Sequence, residues 1–330
     1  MNEDLPQQHH NPYSDGPSGT DFRGSGYRYP QPKRKIKIPL ILFLLTCLST
    51  FWVGVNEWQP PSNPLLLGNL DQLLMNTRMM LLDNWGQGLW YMACVLTILL
   101  LHEFGHFFAT IYYRVPATVP IFLPFPLNPI GTLGAVIGMQ GTLANRKQIF
   151  DIGIAGPLAG LVAAIPLAYI GVQHLDLSEP ARGGIGFRLP LLMQWMVDWL
   201  GVQGIDRDEP IVWINQLNPY FAASWVGLLI TGLNMMPVGQ LDGGHITYTL
   251  FGKSSKWIAE ATIVLAIAFM VYHQHFVLIV MVLLILFMGT SHPPTADDNV
   301  KIGPVRWALG LTSLVIPFLC FPPLIFKIMY

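Results

Sequence analysis

"QGLWYMACVLTILLLHEFGHFFATIY" occupies residues 87–112 and is apolar over almost its whole length. The hydrocarbon core of a bilayer is about 30 Å thick, which a helix of about 20 apolar residues spans. Near its end the stretch carries His102, Glu103 and His106. A charged residue at the bilayer centre costs about 2.5–3.5 kcal/mol on insertion scales, so such residues usually serve a function. The stretch therefore predicts a membrane helix that carries a chemical site.

The rest of the chain has the composition of a protein with many membrane spans. Of its 330 residues, 52% are hydrophobic and only 11% are charged, whereas about a quarter of the residues in a soluble domain are charged. The net charge of -1 gives no indication of nucleic acid as a partner. We expect an all-α polytopic membrane protein in a lipid bilayer, with about seven transmembrane helices at the apolar segments 38–55, 87–112, 150–173, 211–236, 257–272, 275–290 and 305–325.

The N-terminal region sets the expected orientation. Residues 1–34 are polar and rich in Pro, Gly, Asn and Gln, which is typical of a disordered tail. A basic cluster at 33–37 then precedes the first apolar segment. Lys and Arg concentrate in cytoplasmic loops, and most of them fall on the tail's side of the predicted spans. We therefore expect a cytoplasmic N-terminus.

Two connections between the apolar segments are unlike ordinary loops. Residues 115–145 are broken by Pro and Gly yet apolar, and they include "GTLGAVIGMQ" at 131–140. Backbone outside helices is tolerated at membrane depth only where protein or a water-filled cavity satisfies its polar groups. This pattern predicts a small membrane-embedded extended segment beside the site. In the second connection, 237–256, Pro237 and paired glycines should break the preceding helix.

The pattern H-E-x-x-H at 102–106 is typical of a metal site on a helix. Residues four apart share a helix face, so His102 and His106 can bind one ion. Zinc favours such nitrogen ligands, and a catalytic zinc needs a third protein ligand and one open position. Glu103 lies beside the first ligand, where it can act as a general base. The alternative is a helix bundle in which both histidines only donate hydrogen bonds and Glu103 is protonated.

A second motif, "NMMPVGQLDGGH" at 234–245, supplies candidates for the missing positions. Asp242 is the expected oxygen ligand, and its neighbouring glycines let the backbone approach the metal. Asn234 can donate a hydrogen bond to an oxyanion on the substrate. His245 remains a further possible ligand. Since the second and fourth segments run in the same direction, the two motifs can meet.

These paired motifs resemble those of the site-2 protease family of intramembrane zinc metalloproteases. The segment "NRKQIFDIGIAGPLAG" at 145–160 is similar to the start of that family's next core helix. The resemblance implies a zinc endopeptidase, with one Zn²⁺ per chain, that cleaves transmembrane protein substrates in regulated intramembrane proteolysis. It also implies that residues 131–140 bind an unwound substrate. The roles it implies are zinc ligand for His102, His106 and Asp242, catalytic base for Glu103, and substrate positioning for Asn234.

The end of the chain narrows the resemblance. "HPPTADDNVKIGPVRWALG" at 292–310 is similar to the EGY-type branch of chloroplasts and cyanobacteria, which implies a plastid membrane or a bacterial inner membrane. Residues 35–330 would then form one membrane protease domain, with a core at about 88–250 and accessory helices within 257–325. The expected departures from the family pattern are that no PDZ domain lies between the motifs and that no CBS domains follow them.

Two other functions fit parts of the pattern. Histidines and an aspartate on broken helices could pass a metal ion or a proton, as in a transporter. A catalytically inactive membrane scaffold is the third reading. A transporter has little need of the base Glu103, and an inactive scaffold would not keep every expected metal and base position filled.

Several other polar residues favour structural roles. Asp151 is expected to anchor the start of its helix near Arg146 and Lys147, and Glu260 can pair with Lys256. The histidines at predicted membrane boundaries are expected to be solvated rather than metal-binding; they are His273, His275 and His292.

Overall fold

The fold is described from a computed structural model. It covers residues 36–59, 70–178, 184–274, 279, 283, 289–322 and 325–329. The predicted disordered tail at 1–34 and most of the predicted sixth span at 275–290 lie outside the described residues.

The described chain is mostly helical. Its helices are α1 Lys37–Val55, α2 Leu70–Tyr113, α3 Arg146–Gln173, α4 Leu191–Leu200, α5 Pro219–Asn234, α6 Asp242–Phe251, α7 Ser255–His273, α8 Pro304–Ser313 and α9 Ile316–Cys320. Within the described ranges, four helical stretches are long and apolar enough to cross a membrane: Lys37–Val55, Asp71–Tyr113, Arg146–Gln173 and Asp242–His273. The architecture is therefore that of a polytopic membrane protein.

Several predicted spans have different bounds in the structure, for local reasons. Helix α2 begins at Leu70 rather than near 87, since 70–86 contains no proline and is rich in Leu and Met. Helix α3 begins at Arg146 because Asn145 and Gln148 form a reciprocal cap. The predicted span 211–236 becomes a short strand followed by the 16-residue α5, which is capped by Asn218.

Two small antiparallel sheets accompany the helices. Strands β1 Ile121–Phe125 and β2 Gly131–Val136 form a hairpin. The extended backbone expected within 131–140 is thus present at 131–136. Strands β3 Gly184–Arg188, β4 Ile211–Trp213 and β5 Phe326–Met329 form the second sheet, in the order β4-β3-β5.

The second sheet corrects the all-α expectation. Its strands have three to five residues each and come from distant parts of the chain, so no periodic pattern marks them locally. The predicted last span, 305–325, contains two short helices instead. Helix α8 ends at Ser313, and α9 begins at Ile316 with Pro317 in its first turn, where a proline is tolerated.

The core lies where α2, α3 and α5 pack together. Phe150 on α3 and the α5 residues Phe221 and Trp225 are almost completely buried there, as is Ile98 on α2. The Trp225 indole donates a hydrogen bond to the Arg188 carbonyl, which ties α5 to the second sheet. This packing fixes α2 and α3 side by side, and the ends of both helices border the candidate site.

Candidate metal centre

Helix α2 presents two histidines to one point. His102 and His106 are buried, with 3% and 5% of their surface exposed, and their Nε2 atoms lie 3.3 Å apart. The Nδ1 atom of His106 lies 2.7 Å from the Ile152 carbonyl oxygen on α3. A carbonyl only accepts, so this Nδ1 carries the proton and the Nε2 of a neutral ring keeps its lone pair. Such a bond is the usual way to orient a metal-binding histidine.

Asp242 joins the two histidines from another helix. Its Oδ2 lies 3.2 Å from the His102 Nε2 and its Oδ1 lies 3.2 Å from the His106 Nε2. Asp242 is the first residue of α6, where a carboxylate is favoured by the positive end of the helix dipole. The following glycine is required: a Cβ on Gly243 would lie 2.0 Å from the Met235 carbonyl oxygen. That close approach brings the start of α6 against the end of α5.

Helix α3 packs closely against the His106 ring at a glycine. A Cβ on Gly156 would lie 2.0 Å from the His106 Nε2. The residues 145–160 that resemble a family helix thus include the position that makes room for a ligand ring. Any larger residue at 156 must move His106 or separate α2 from α3.

The three side chains fit a divalent metal ion. Their ligand atoms, from His102, His106 and Asp242, all lie within 4.8 Å of one another. With bonds of about 2.0–2.1 Å, neighbouring ligands of a tetrahedral zinc lie about 3.3–3.4 Å apart. The two Nε2 atoms are 3.3 Å apart, and each lies 3.2 Å from a different oxygen of Asp242. Two neutral nitrogens and one carboxylate are a typical catalytic zinc set, as in the two-His, one-carboxylate enzymes. His245 is a further possible ligand from the sequence, but it does not belong to this group of ligand atoms.

Glu103 and Asn234 border the same space. Glu103 is buried, with 4% of its surface exposed, and the Asn234 Nδ2 lies 3.4 Å from the His102 Nε2. Both line a cavity of about 280 Å³ that the three candidate ligands also line. All five residues expected from the two motifs are therefore brought together.

The extended segment forms another wall of this cavity. Residues 135–139 line it, at the end of β2 and just beyond. Strand β1 pairs with one edge of β2, with Ile121 opposite Val136. Among the described residues the hairpin has two strands only, so the second edge of β2 is unpaired.

The sequence missed a second pair of histidines at the cavity. His245 and His292 both line it, with 2.5 Å between the His245 Nδ1 and the His292 Nε2. The His292 ring also stacks on Tyr248 at a centroid distance of 4.3 Å. His292 is therefore not the solvated histidine that its position in the sequence indicated; its burial lowers its pKa, because the charged ring loses water. The only local sign that this segment packs against the protein is the Pro-Pro pair that follows His292.

The other expected polar contacts have mixed outcomes. Asp151, in the first turns of α3, contacts Arg306 through two bonds of 2.8 Å, and Tyr113 donates to the same carboxylate. Arg146 instead binds carbonyl oxygens at the end of α6. Glu260 does pair with Lys256, at 3.7 Å.

The site lies within a region that matches a known family. The family model described as "Peptidase family M50" matches residues 90–282, a range that includes both motifs. A rice (Oryza sativa subsp. japonica) protein named "Probable zinc metalloprotease EGY1, chloroplastic" is 36% identical over 170 residues, which cover 49% of this chain and 28% of that protein.

Two Arabidopsis thaliana proteins give similar matches. "Probable zinc metalloprotease EGY1, chloroplastic" is 27% identical over 307 residues, covering 87% of this chain and 53% of that protein. "Probable zinc metalloprotease EGY2, chloroplastic" is 31% identical over 165 residues, covering 48% and 28%. The chain thus spans about half or less of the length of these relatives. The match confirms the resemblance that the motifs indicated.

Proposed function

This chain belongs to peptidase family M50, and from that premise we propose that it is an intramembrane zinc endopeptidase. It would hydrolyse peptide bonds within or near the transmembrane segments of membrane-protein substrates, in regulated intramembrane proteolysis. One observation carries the proposal. Two histidines of α2 and the aspartate that opens α6 converge to 3.2–3.3 Å beside a buried glutamate, at the wall of a cavity.

The proposed ligands of one zinc ion per chain are His102, His106 and Asp242. When bound, zinc polarises a carbonyl and makes water a stronger acid and nucleophile. The protein's own part is to hold the ligand atoms in place. The Ile152 carbonyl fixes the His106 ring, and α6 delivers Asp242 with its charge at a helix N-terminus.

Glu103 is the proposed general base. Glu103 lines the cavity that the candidate ligands also line, so its carboxylate can accept a proton from the attacking water and pass it to the leaving amine. Asn234 is placed to donate its Nδ2–H to the oxygen of the carbonyl under attack. Both groups come from helices rather than loops, which keeps them in position before the substrate arrives.

The substrate would bind as an extended strand. A transmembrane helix hides its carbonyls in its own hydrogen bonds, so it must unwind before it can be cut. The free edge of β2 ends in residues that line the cavity, and an extended peptide can add to such an edge. That addition would place one carbonyl of the peptide near Glu103 and Asn234.

The four long apolar helices support the proposed membrane arrangement. We place the metal centre and β2 below the lipid surface, with α5 and the segments 275–290 and 304–320 completing about seven spans beside the four long ones. The N-terminus, with the tail 1–34, lies in the cytoplasm. Since the relatives are named as chloroplastic proteins, a plastid membrane or the corresponding bacterial inner membrane is the proposed location.

The whole of 35–330 serves as one protease domain in this proposal. Residues 88–250 form its core, and the helices within 257–325 are accessory to it. A transporter is not favoured, for two reasons. It would not require a glutamate between the two histidines, and the matching family is one of peptidases.

The experiment uses Glu103→Gln in the full chain. Purified protein should contain about one zinc per chain, and the variant should keep that zinc while it loses cleavage of a co-expressed transmembrane reporter. Glu260→Gln is the matched control, since Glu260 lies on α7 and contacts Lys256; it should cleave like the wild type. Normal cleavage by Glu103→Gln would refute the proposed base, and wild-type protein without zinc would refute the proposed centre.

A further inference from the structure

The histidine pair at the cavity has a defined order of hydrogen bonds. The His292 Nδ1 lies 2.5 Å from the Pro293 carbonyl oxygen, and the His292 Nε2 lies 2.5 Å from the His245 Nδ1. The carbonyl can only accept, so the His292 Nδ1 carries a proton. In a neutral ring the His292 Nε2 is then an acceptor, and the His245 Nδ1 must be the donor to it.

Both rings are expected to be neutral. Burial lowers the pKa of His292, because water no longer solvates its charged form. Two imidazolium rings in direct contact would also repel each other. In a neutral His245 whose Nδ1 is protonated, the Nε2 has a lone pair and no proton.

The remaining nitrogen of His245 is the Nε2, on a side chain that lines the cavity. His245 lines the cavity together with Glu103 and residues 135–139. Within the described parts of the chain, its Nε2 has no hydrogen-bond partner, while its Nδ1 is fully used by His292. The cavity therefore holds a fixed acceptor that neither the ligand set nor the proposed base accounts for.

We propose that His245 accepts a hydrogen bond from a main-chain N–H of the peptide substrate, and that His292 is the positioning residue that selects its tautomer. This inference rests on the proposed peptidase function. A peptide strand that pairs one edge with β2 has unpaired N–H groups on its other edge. A buried N–H without an acceptor is costly, and the His245 Nε2, on a residue of the same cavity wall, can supply one.

The segment that carries His292 is held independently of the metal centre. Tyr248 stacks on the His292 ring and donates its hydroxyl to the Asp298 carboxylate. The Ala296 N–H donates to the Ala144 carbonyl, just before α3. None of these contacts involves a candidate metal ligand.

The first test reads the tautomer directly, without activity. Full-length protein labelled with ¹⁵N-histidine is reconstituted in lipid and measured by solid-state NMR with and without zinc, and His245→Gln identifies the His245 signals. The expected result is a protonated Nδ1 and a bare Nε2, with no zinc-dependent shift of the size that His102 and His106 show. A protonated Nε2, or a shift of that size, would overturn the inference, the latter by making His245 a metal ligand.

The second test separates the hydrogen bond from packing. His292→Phe keeps a ring against Tyr248 but removes the acceptor, whereas His292→Gln keeps an acceptor at about the Nε2 position. We expect His292→Phe to keep its zinc and to lose about tenfold in kcat/KM on a peptide substrate, and His292→Gln to recover most of that loss.

The outcomes distinguish this inference from the function on which it rests. Equal kcat/KM for His292→Phe and wild type overturns the proposed role of His245 and His292 but leaves the proposed peptidase function standing. Failure of zinc-loaded wild type to cleave any peptide removes the proposed function, and with it the substrate role of His245. In that case the NMR measurement still reports whether the tautomer was assigned correctly.

Discussion

Two aspartates, each held between helices, balance their charge in different ways. Asp151 on α3 contacts Arg306 on α8 through two bonds of 2.8 Å and also accepts from Tyr113 on α2. Asp242 faces two imidazoles, which have no permanent charge, at 3.2 Å. The first cluster contains its own cation and is complete as a structural joint. The second provides three ligand atoms around one point, and a divalent ion would complete it.

The largest expected difference between the Asp151 and Asp242 clusters concerns zinc content and cleavage after one side chain is removed from each. We expect His106→Ala to lose its zinc and all measurable cleavage, because two ligands cannot hold a catalytic zinc ion. Asp151→Asn should keep one zinc per chain and most of its activity. Metal analysis of the purified proteins and cleavage of a transmembrane reporter check both variants. Full zinc occupancy in His106→Ala would place the metal elsewhere.

A substitution in α3 behind His106 should weaken zinc binding at the Asp242 cluster, with a smaller effect than the loss of a candidate ligand, and should leave the Asp151 cluster unchanged. Gly156→Ala inserts a methyl group where the His106 Nε2 now lies, so the ring must turn away from the metal. We expect zinc affinity to fall by at least about tenfold, in the range seen when groups that orient metal ligands are lost.

Gly86→Ala is the control for this change, since a Cβ at Gly86 meets nothing within 4 Å. Titration with a zinc chelator gives the affinity of both variants. If Gly156→Ala binds zinc as tightly as Gly86→Ala, the close contact between α3 and the His106 ring does not position the ligand.

The smallest expected effect concerns the Asp151 joint. Arg306 and Asp151 are only half-buried, so solvent weakens the pair. We expect Asp151→Asn or Arg306→Gln to lower the free energy of unfolding by about 1–2 kcal/mol, in the range of a charge-assisted hydrogen bond. A double-mutant cycle followed by thermal unfolding in detergent measures the coupling. Additive effects would show that the two residues stabilise the protein separately.

Much of the candidate site could be predicted from local spacing. His102 and His106 are one helical turn apart in any helix, so their common face follows from residue positions alone. The end of α5 at Asn234 follows from Pro237 and the glycines after it. Asp242 was expected beside the histidines from the direction of the helices, and the distances of 3.2 Å agree with that.

Other contacts had no local signal. The partner of Asp151 is Arg306, 155 residues later, although two basic residues lie much closer in the sequence. The sequence predicts a solvated histidine at a membrane boundary for His292, yet its ring lies between Tyr248 and His245. The second sheet joins residues 184–188 with 326–329, and such short strands carry too few residues to show a period.

The sequence by itself determined the class of the protein and the chemistry of its candidate metal ligands. Apolar run length is set by bilayer thickness, and ligand spacing is set by helix pitch, so both can be counted along the chain. Only the tertiary structure decided which carboxylate received a protein cation, which glycine faces His106, and which nitrogen of His245 contacts His292. Those features depend on contacts between distant segments, and such contacts exist only after the helices have packed against one another.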